Sequence, residues 1–355
     1  MAEAGEMKTL LFGSGKVTFN SAWKQGFFPC STEGLSYGIV QTEGGPCGVL
    51  ATVQAFLLRH LLYMDESFAS CRPPAQCSRS AFDDALFNAL ADILWQAGGG
   101  QRACVAISGK RRLSAEEEDA LRQAQCRADD VTETLSVYEC SSRAQTLQTL
   151  QRFCAELTKP NGNGVPMILY SAMLSRGAAN ISSDMASFEG VQAQLMGAHN
   201  YCSLEMVNLL LLGRAVGNVF DGKKDLDGTT LQGVPLQGEV GFLTLFEHYG
   251  SMEVGDLLKR PKVSVWVVCS ESHFSVFFSP AKIAAEGPGG THELYYYDGL
   301  CKQDAPILLT VTWEAGAEKM AIQDFNKDMT PPLEHCVRTR WPAALIDWNG
   351  SDPIL

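Results

Sequence analysis

The segment QTEGGPCGVLATVQAFLLR, residues 41–59, joins a glycine- and proline-rich turn directly to a long apolar run. Gly44 and Gly45 allow the chain to turn tightly and to bring its backbone close to a ligand. Pro46 suits the first turn of a helix, where its missing N–H is not needed. We therefore predict that Cys47 stands at the N-terminus of a helix over 47–62, and that this helix is buried through the middle of a domain because it is apolar on nearly every side.

A cysteine at a helix N-terminus is a candidate nucleophile. The unpaired N–H groups and the helix dipole there favour the thiolate form of Cys47. Gln41 lies six residues upstream, where its side-chain amide could donate to an oxyanion formed beside the sulfur. Most cysteines next to apolar residues are small core residues, and this chain has 12 cysteines, so the hypothesis requires a matching histidine.

Composition narrows the class of protein. The 355 residues are 46% hydrophobic and carry a formal net charge of −12, which is typical of a globular protein with a sizeable core and argues against nucleic acid or an anionic membrane as the main partner. A basic partner or peptide fits better. No apolar run approaches the ~20 residues that span a bilayer, so we expect no membrane segment.

The cysteines show neither Cys-x-x-Cys pairs nor zinc-ligand spacing, so we expect no metal and no cofactor. The acidic N-terminus lacks the apolar region of a secretory signal. We therefore interpret the cysteines as reduced thiols of an intracellular protein, in the cytoplasm or, as the alternative, in the nucleus.

Apolar patterns and turn signals predict an α+β fold. Residues 72–74, 160–166 and 280–290 are turn signals. Further helices are predicted over 81–96, 145–157, 204–212 with Ser203 as its cap, and 241–260. Strands are predicted over 35–41, 103–108, 167–170, 263–268, 269–278, 293–298 and 306–313. Because no linker or repeat divides the chain, we predict one domain over 1–355, with a helical part and an antiparallel sheet towards the C-terminus.

Among six histidines, His273 has the most distinctive context, since it opens an apolar strand just after a polar turn. An antiparallel hairpin of 273–279 with 292–298 would place His273 directly opposite Asp298, close enough for the carboxylate to orient the imidazole. The alternative is that Asp298 only begins a turn with Gly299. For His60, near the end of the buried helix, we predict a structural role.

The order Gln41, Cys47, His273 and Asp298 is the order of papain-like cysteine peptidases, although the local papain sequence signature is absent. Six blocks go further: they resemble the MINDY family of deubiquitinases, nearest to the branch of its fourth member and a B-type paralogue. The blocks are GGPCGVLA (44–51), LLLLGRAVGNVF (209–220), GFLTLFEHY (241–249), WVVCSESHFSV (266–276), LYYYDGL (294–300) and DWNGSDPIL (347–355).

The resemblance implies a cysteine isopeptidase that cleaves lysine-48-linked polyubiquitin, with Cys47 as nucleophile, His273 as general base and Gln41 as oxyanion donor. Asp298 is added from the hairpin geometry alone. Two features depart from the family: no ubiquitin-interacting helical motif is visible, and longer members carry an N-terminal extension. Because some B-type members are regarded as inactive, a ubiquitin-binding pseudoenzyme is the alternative. A papain-like acyltransferase would share the Cys/His pair.

Overall fold

The computed structural model describes residues 2–64, 77–109, 111, 113–185, 194–226, 229–283, 289–314, 316 and 329–353. The predicted break at 72–74 and part of the predicted connection at 280–290 lie outside those residues.

Helices surround a small antiparallel pair of strands in the first two thirds of the chain. The elements in order are α1 (Ala2–Phe12), α2 (Cys47–Arg59), α3 (Arg79–Ala97), β1 (Ala103–Ser108), α4 (Ala115–Gln123), β2 (Leu135–Cys140), α5 (Arg143–Arg152), α6 (Cys154–Thr158), α7 (Gly164–Arg176), α8 (Ala178–Asp184) and α9 (Leu204–Leu212). One turn of π-helix, His60–Met64, continues α2, and β1 pairs with β2.

A six-stranded sheet dominates the rest. The elements are β3 (Lys223–Leu226), β4 (Thr229–Gln232), β5 (Gly241–Thr244), α10 (Leu245–His248), α11 (Asp256–Lys259), β6 (Val265–Ser270), β7 (His273–Phe278), β8 (Gly289–Tyr297), β9 (Ile307–Glu314), α12 (Pro332–Arg340) and β10 (Leu345–Asp347). The sheet order is β10-β9-β8-β7-β6-β5. Every neighbouring pair is antiparallel except β5 with β6, and β3 pairs with β4 in a separate hairpin.

The six-stranded sheet is covered on both faces because successive side chains of a strand point to opposite sides. In β6, Val265 and Val267 join the large core that contains α2, α3, α7 and α9. Trp266 and Val268 face the other way, into a second core formed with α12. The mixture of helices and a largely antiparallel sheet confirms the predicted α+β class.

Helix α2 is central, as predicted. Every residue in it except Arg59 is buried, and it packs against α3, α9, β6 and β7. Within the described residues, Cys47–Met64 is the one helical stretch long and apolar enough to cross a membrane, but 78% of it is buried inside the protein. Such burial is typical of the core helix of a globular domain.

Several predicted elements are confirmed, with shifted ends. Helices α3 and α9 and strands β1, β6, β7, β8 and β9 lie where the patterns placed them. The hydroxyl of Ser203 caps α9 by accepting the N–H of Met206 at 3.1 Å. The predicted helix over 145–157 is two helices, α5 and α6, that meet at Phe153.

Three predictions are wrong. Residues 167–170 lie inside α7, because a four-residue apolar run does not distinguish a buried strand from a buried helix. The predicted helix over 241–260 begins as strand β5, which pairs with β6, and only short helices follow. Residues 35–41 form no strand beyond an isolated bridge at Ile39; the side chain of Gln54 in α2 bonds the backbone at Tyr37 and Ile39 instead.

Candidate active site

The glycine turn places Cys47 as the first residue of α2. Gly45 has a φ of +137°, which only glycine adopts easily, and a Cβ atom on it would lie 3.2 Å from the indole nitrogen of Trp23. The turn is therefore both bent and tightly packed. Cys47 is 3% exposed, and its sulfur lies 4.0 Å from the carbonyl oxygen of Ser272, in the turn between β6 and β7.

His273 and Asp298 form a short contact beside Cys47. His273 is the first residue of β7, and its Nε2 atom lies 2.7 Å from Oδ2 of Asp298. The side chain of His273 is 32% exposed, whereas that of Asp298 is 8% exposed. The carboxylate is thus buried behind an imidazole that still reaches solvent, and Nδ1 is the ring nitrogen left to face Cys47.

The predicted hairpin register is wrong by two residues, although the predicted contact is present. Val276 pairs with Tyr297 and Phe278 with Tyr295, so Asp298 falls opposite Ser275 and not opposite His273. A shift of two residues keeps a side chain on the same face of the sheet, whereas a shift of one would reverse it. Asp298 therefore reaches His273 diagonally, over a distance that long side chains can span.

Asp298 is itself held on several sides. Its Oδ1 accepts the N–H of Leu300 at 2.9 Å, and its own N–H donates to Oε1 of Gln303 at 2.9 Å. The amide of Gln303 also donates to the carbonyl oxygen of Tyr296 at 3.3 Å. Asp298 thus begins a turn and also contacts the histidine. Our sequence reasoning missed Gln303, since an isolated glutamine five residues downstream carries no pattern of its own.

The electrostatics favour an ion pair between sulfur and imidazole. A hydrogen bond with the Cys202 thiol and interactions with His273 outweigh burial and lower the pKa of Cys47 to about 5. Burial would lower the pKa of His273, but the hydrogen bonds with Asp298 and Cys47 outweigh it and raise that pKa to about 10. Near neutral pH the pair is therefore thiolate and imidazolium, the reactive state of a nucleophilic cysteine.

Gln41 lines the same narrow pocket as Cys47. One N–H of its side-chain amide donates to the carbonyl oxygen of Glu43 at 2.7 Å, which leaves the second N–H available. Its backbone N–H donates to the carbonyl oxygen of Gly299 at 2.8 Å. A Cβ atom on Gly299 would lie 2.4 Å from the carbonyl oxygen of Ile39, so the two segments approach each other closely. The backbone N–H of Cys47, at a helix start, has no acceptor within the helix and is a second potential donor.

The structure thus brings together all four predicted residues, Cys47, His273, Asp298 and Gln41. It also adds Cys202, which the sequence did not single out because it lies more than 150 residues from Cys47. His60 is elsewhere, in a network with Arg59 and Asp92. None of the 11 described cysteines forms a disulfide bond.

Fold and site together define a mixed α and β protein with a Cys–His–Asp arrangement at the junction of a buried helix and an antiparallel sheet. The family model "Deubiquitinating enzyme MINDY-3/4, conserved domain" matches residues 8–350. The chain belongs to this MINDY-3/4 family, as its sequence blocks predicted.

Individual relatives agree with the family assignment. The chain is 41% identical, over 100% of its length, to the human "Probable ubiquitin carboxyl-terminal hydrolase MINDY-4", and 42% identical, over 99%, to the mouse protein of that name. It is 35% identical to bovine "Ubiquitin carboxyl-terminal hydrolase MINDY-3" over 80% of the chain and 67% of the relative. The chain spans 46% of the length of the two MINDY-4 relatives. No solved structure matches the chain.

Proposed function

We propose that this chain is a deubiquitinase, a thiol isopeptidase that hydrolyses the bond between the C-terminal glycine of ubiquitin and a lysine amine. The observation that carries the proposal is the 2.7 Å contact between His273 and Asp298 beside a cysteine whose pKa is lowered to about 5. A lowered thiol pKa at a helix N-terminus, paired with an oriented histidine, is the arrangement of an activated nucleophile.

The reaction takes two steps. The Cys47 thiolate attacks the carbonyl carbon, and His273 gives its proton to the departing lysine amine, which leaves a thioester on Cys47. Water then attacks the thioester while the now neutral His273 accepts a proton from it, which releases the ubiquitin carboxylate and restores the thiolate. Asp298 keeps the imidazole ring in orientation throughout by its contact with Nε2.

The oxyanion formed in each step needs donors that are already in place. We assign this role to the free side-chain N–H of Gln41 and to the backbone N–H of Cys47. A glutamine precedes the nucleophile, the cysteine begins a helix, and the histidine begins a strand late in the chain. From this order we propose that the site is related to those of papain-like cysteine peptidases.

Ubiquitin and polyubiquitin are the proposed partners, and lysine-48-linked chains the preferred substrate. The relatives are named ubiquitin carboxyl-terminal hydrolases. The net charge of −12 suits the basic residues of the ubiquitin tail. The absence of disulfide bonds among the described cysteines suits a reducing compartment, and we propose that the protein is intracellular.

Two observations favour a second candidate, a ubiquitin-binding pseudoenzyme. Cys47 is only 3% exposed, and one side-chain N–H of Gln41 already donates to the carbonyl oxygen of Glu43. In an active enzyme the turn before Cys47 must therefore open, or the ubiquitin tail must reach the sulfur through the narrow pocket. In a pseudoenzyme neither happens, and ubiquitin binds without reaction.

Covalent trapping by a ubiquitin that carries a C-terminal electrophile distinguishes the two candidates. An active enzyme forms a covalent adduct, and Cys47→Ala abolishes both the adduct and chain cleavage while ubiquitin binding persists. Binding without an adduct would favour the pseudoenzyme, and an adduct on Cys47→Ala would assign the nucleophile to another cysteine. Amine incorporation in place of net hydrolysis would indicate an acyltransferase.

Linkage preference is tested with chains of equal length. Contacts to the ubiquitin that supplies the lysine orient the scissile bond, so they affect kcat as well as KM. We expect lysine-48-linked chains to be cleaved fastest and long chains faster than the dimer, since each bound unit raises the local concentration of the next. Equal rates for all linkages would contradict the proposed binding site for the ubiquitin that supplies the lysine.

A further inference from the structure

Cys202 is a second thiol at the candidate active site, and the proposed mechanism does not use it. It ends a loop in which His199 and Asn200 both have left-handed backbone angles, with φ of 58° and 61°. The indole N–H of Trp23 donates to the carbonyl oxygen of Asn200 at 3.0 Å. This bond fixes the loop against a residue that also packs on the glycine turn, so the loop carries one side chain to Cys47 from a distant part of the sequence.

The Cys202 side chain contacts the chain on both sides of Cys47. Its sulfur lies 3.4 Å from the carbonyl oxygen of Gly45, in the turn before the nucleophile. On the other side, a Cβ atom placed on Gly48 would lie 2.8 Å from the Cβ of Cys202 and 3.0 Å from its sulfur. The first turn of α2 is therefore in close contact with this thiol.

We propose that Cys202 is a positioning residue for the nucleophile: its thiol contacts both the glycine turn and the first turn of α2, and its S–H donates a hydrogen bond to the Cys47 thiolate. The inference rests on the proposed function only in naming Cys47 the nucleophile. A thiol has one proton to donate, and rotation about the Cβ–Sγ bond directs it to either the Gly45 carbonyl oxygen or the Cys47 sulfur. Once Cys47 is ionised, its negative sulfur is the stronger acceptor.

The environment of the two sulfur atoms agrees with this direction of donation. The hydrogen bond with Cys202 is the largest influence that lowers the pKa of Cys47, whereas burial, followed by interaction with Cys47, raises the pKa of Cys202 well above its ordinary value. At a pH at which Cys47 is ionised, Cys202 therefore remains protonated. Two other titratable groups interact with Cys47: the His273 imidazolium, and Cys269, whose pKa burial raises to about 12 and which therefore stays neutral.

Alkylation of Cys47 by iodoacetamide tests the proposal without ubiquitin. The rate is followed against pH by mass spectrometry of the peptide that contains Cys47, because only the thiolate reacts. Cys202→Ala removes the donor, so we expect the acid limb of the curve to move to higher pH and the rate on that limb to fall about tenfold or more. Cys202→Ser retains an O–H donor and restores most of the rate.

Cys336→Ala is the matched control, since Cys336 is a buried thiol of α12 in the second core and its loss should leave the Cys47 curve unchanged. A folded Cys202→Ala protein with the wild-type curve would overturn the proposal. If that variant does not fold, the curve of the wild-type protein still tests the proposal. An acid limb at the pKa of an ordinary thiol would overturn the proposal, because Cys47 would then have no group that lowers its pKa. The two proposals can fail separately. If the wild-type protein does not react with the ubiquitin electrophile but Cys202→Ala still shifts the alkylation curve, the proposed function is refuted and the role of Cys202 is supported.

Discussion

Among the described residues, two histidine–carboxylate pairs have nearly identical contact distances. His60 Nε2 lies 2.6 Å from Asp92 Oδ2, and His273 Nε2 lies 2.7 Å from Asp298 Oδ2. Around the first pair, Arg59 bonds the same carboxylate at 2.8 Å and Arg143 bonds its other oxygen. Burial would raise the pKa of Asp92, but the hydrogen bonds from His60 and Arg143 outweigh it and lower that pKa.

The two pairs differ in what surrounds them. Arginines compete for Asp92, so that carboxylate is the centre of a structural ion network that ties α2 to α3 and α5. Apart from His273, Asp298 is bonded by neutral groups, the backbone N–H of Leu300 and the phenol O–H of Tyr296. His273 in turn interacts with Cys47. A short histidine–carboxylate contact therefore does not identify an active site; the group on the other side of the ring does.

The largest difference we expect is between the two histidines. His273→Ala removes the proton donor and the imidazolium that stabilises the Cys47 thiolate, so chain cleavage and reaction with the ubiquitin electrophile should fall to background. His60→Ala should lower the melting temperature and leave the rate per folded molecule near wild type. Cleavage assays on both variants, normalised to folded protein, measure this, and comparable losses of rate would contradict the contrast.

Gln41 is the next difference, because we proposed an oxyanion donor beside the second pair and none beside the first. Gln41→Ala should lower kcat by roughly 10²–10³-fold, the usual effect of removing one such donor, with KM nearly unchanged. Gln96→Ala is the control, since that amide donates to the Leu210 carbonyl oxygen across the contact between α3 and α9 and does not line the pocket of Cys47. A change confined to KM would place Gln41 in substrate binding instead.

The two aspartates should separate rate from stability. Asp298→Asn removes the charge that orients His273 and should lower kcat by about 10- to 100-fold, a part of what a positioned general acid and base contribute. Asp92→Asn leaves Arg143 without the counter-charge at Asp92 and Arg59 with Glu239 alone, and should lower the free energy of unfolding by about 2 kcal/mol with little effect on kcat. Steady-state kinetics and urea unfolding of both variants provide the test; a reversed pattern would exchange the two roles.

The smallest effect concerns pH. With the pKa of Cys47 at about 5 and that of His273 at about 10, kcat/KM should be nearly flat across neutral pH. At pH values below the pKa of Cys47, kcat/KM should fall because the thiolate is protonated. At pH values above the pKa of His273, it should fall because the histidine has lost the proton that the leaving amine needs. An inflection near pH 6.5, the ordinary value for histidine, would show that the ion pair does not form.

Local chemistry explains why much of the site was predictable from the sequence. The turn before Cys47 and the buried helix after it are formed by contiguous residues, so local patterns predict both. The predicted face of Asp298 was correct despite a register error of two residues, because strand side chains return to the same face every two residues. The partners Cys202 and Gln303 were missed because no local pattern marks either of them. Tertiary pairing likewise decided between strand and helix at 167–170 and 241–244.

Gly299 has a further consequence, for the interpretation of natural variants. It follows Asp298 directly in the chain, and its carbonyl oxygen accepts the backbone N–H of Gln41. Its Cα lies so close to the carbonyl oxygen of Ile39 that no side chain larger than hydrogen fits there. The two ends of the proposed reaction centre are thus joined through a residue that has no side chain. An inherited exchange of this glycine for alanine adds one methyl group and removes no reactive atom, yet it would displace oxyanion donor and orienting carboxylate together, and so act as a loss-of-function allele.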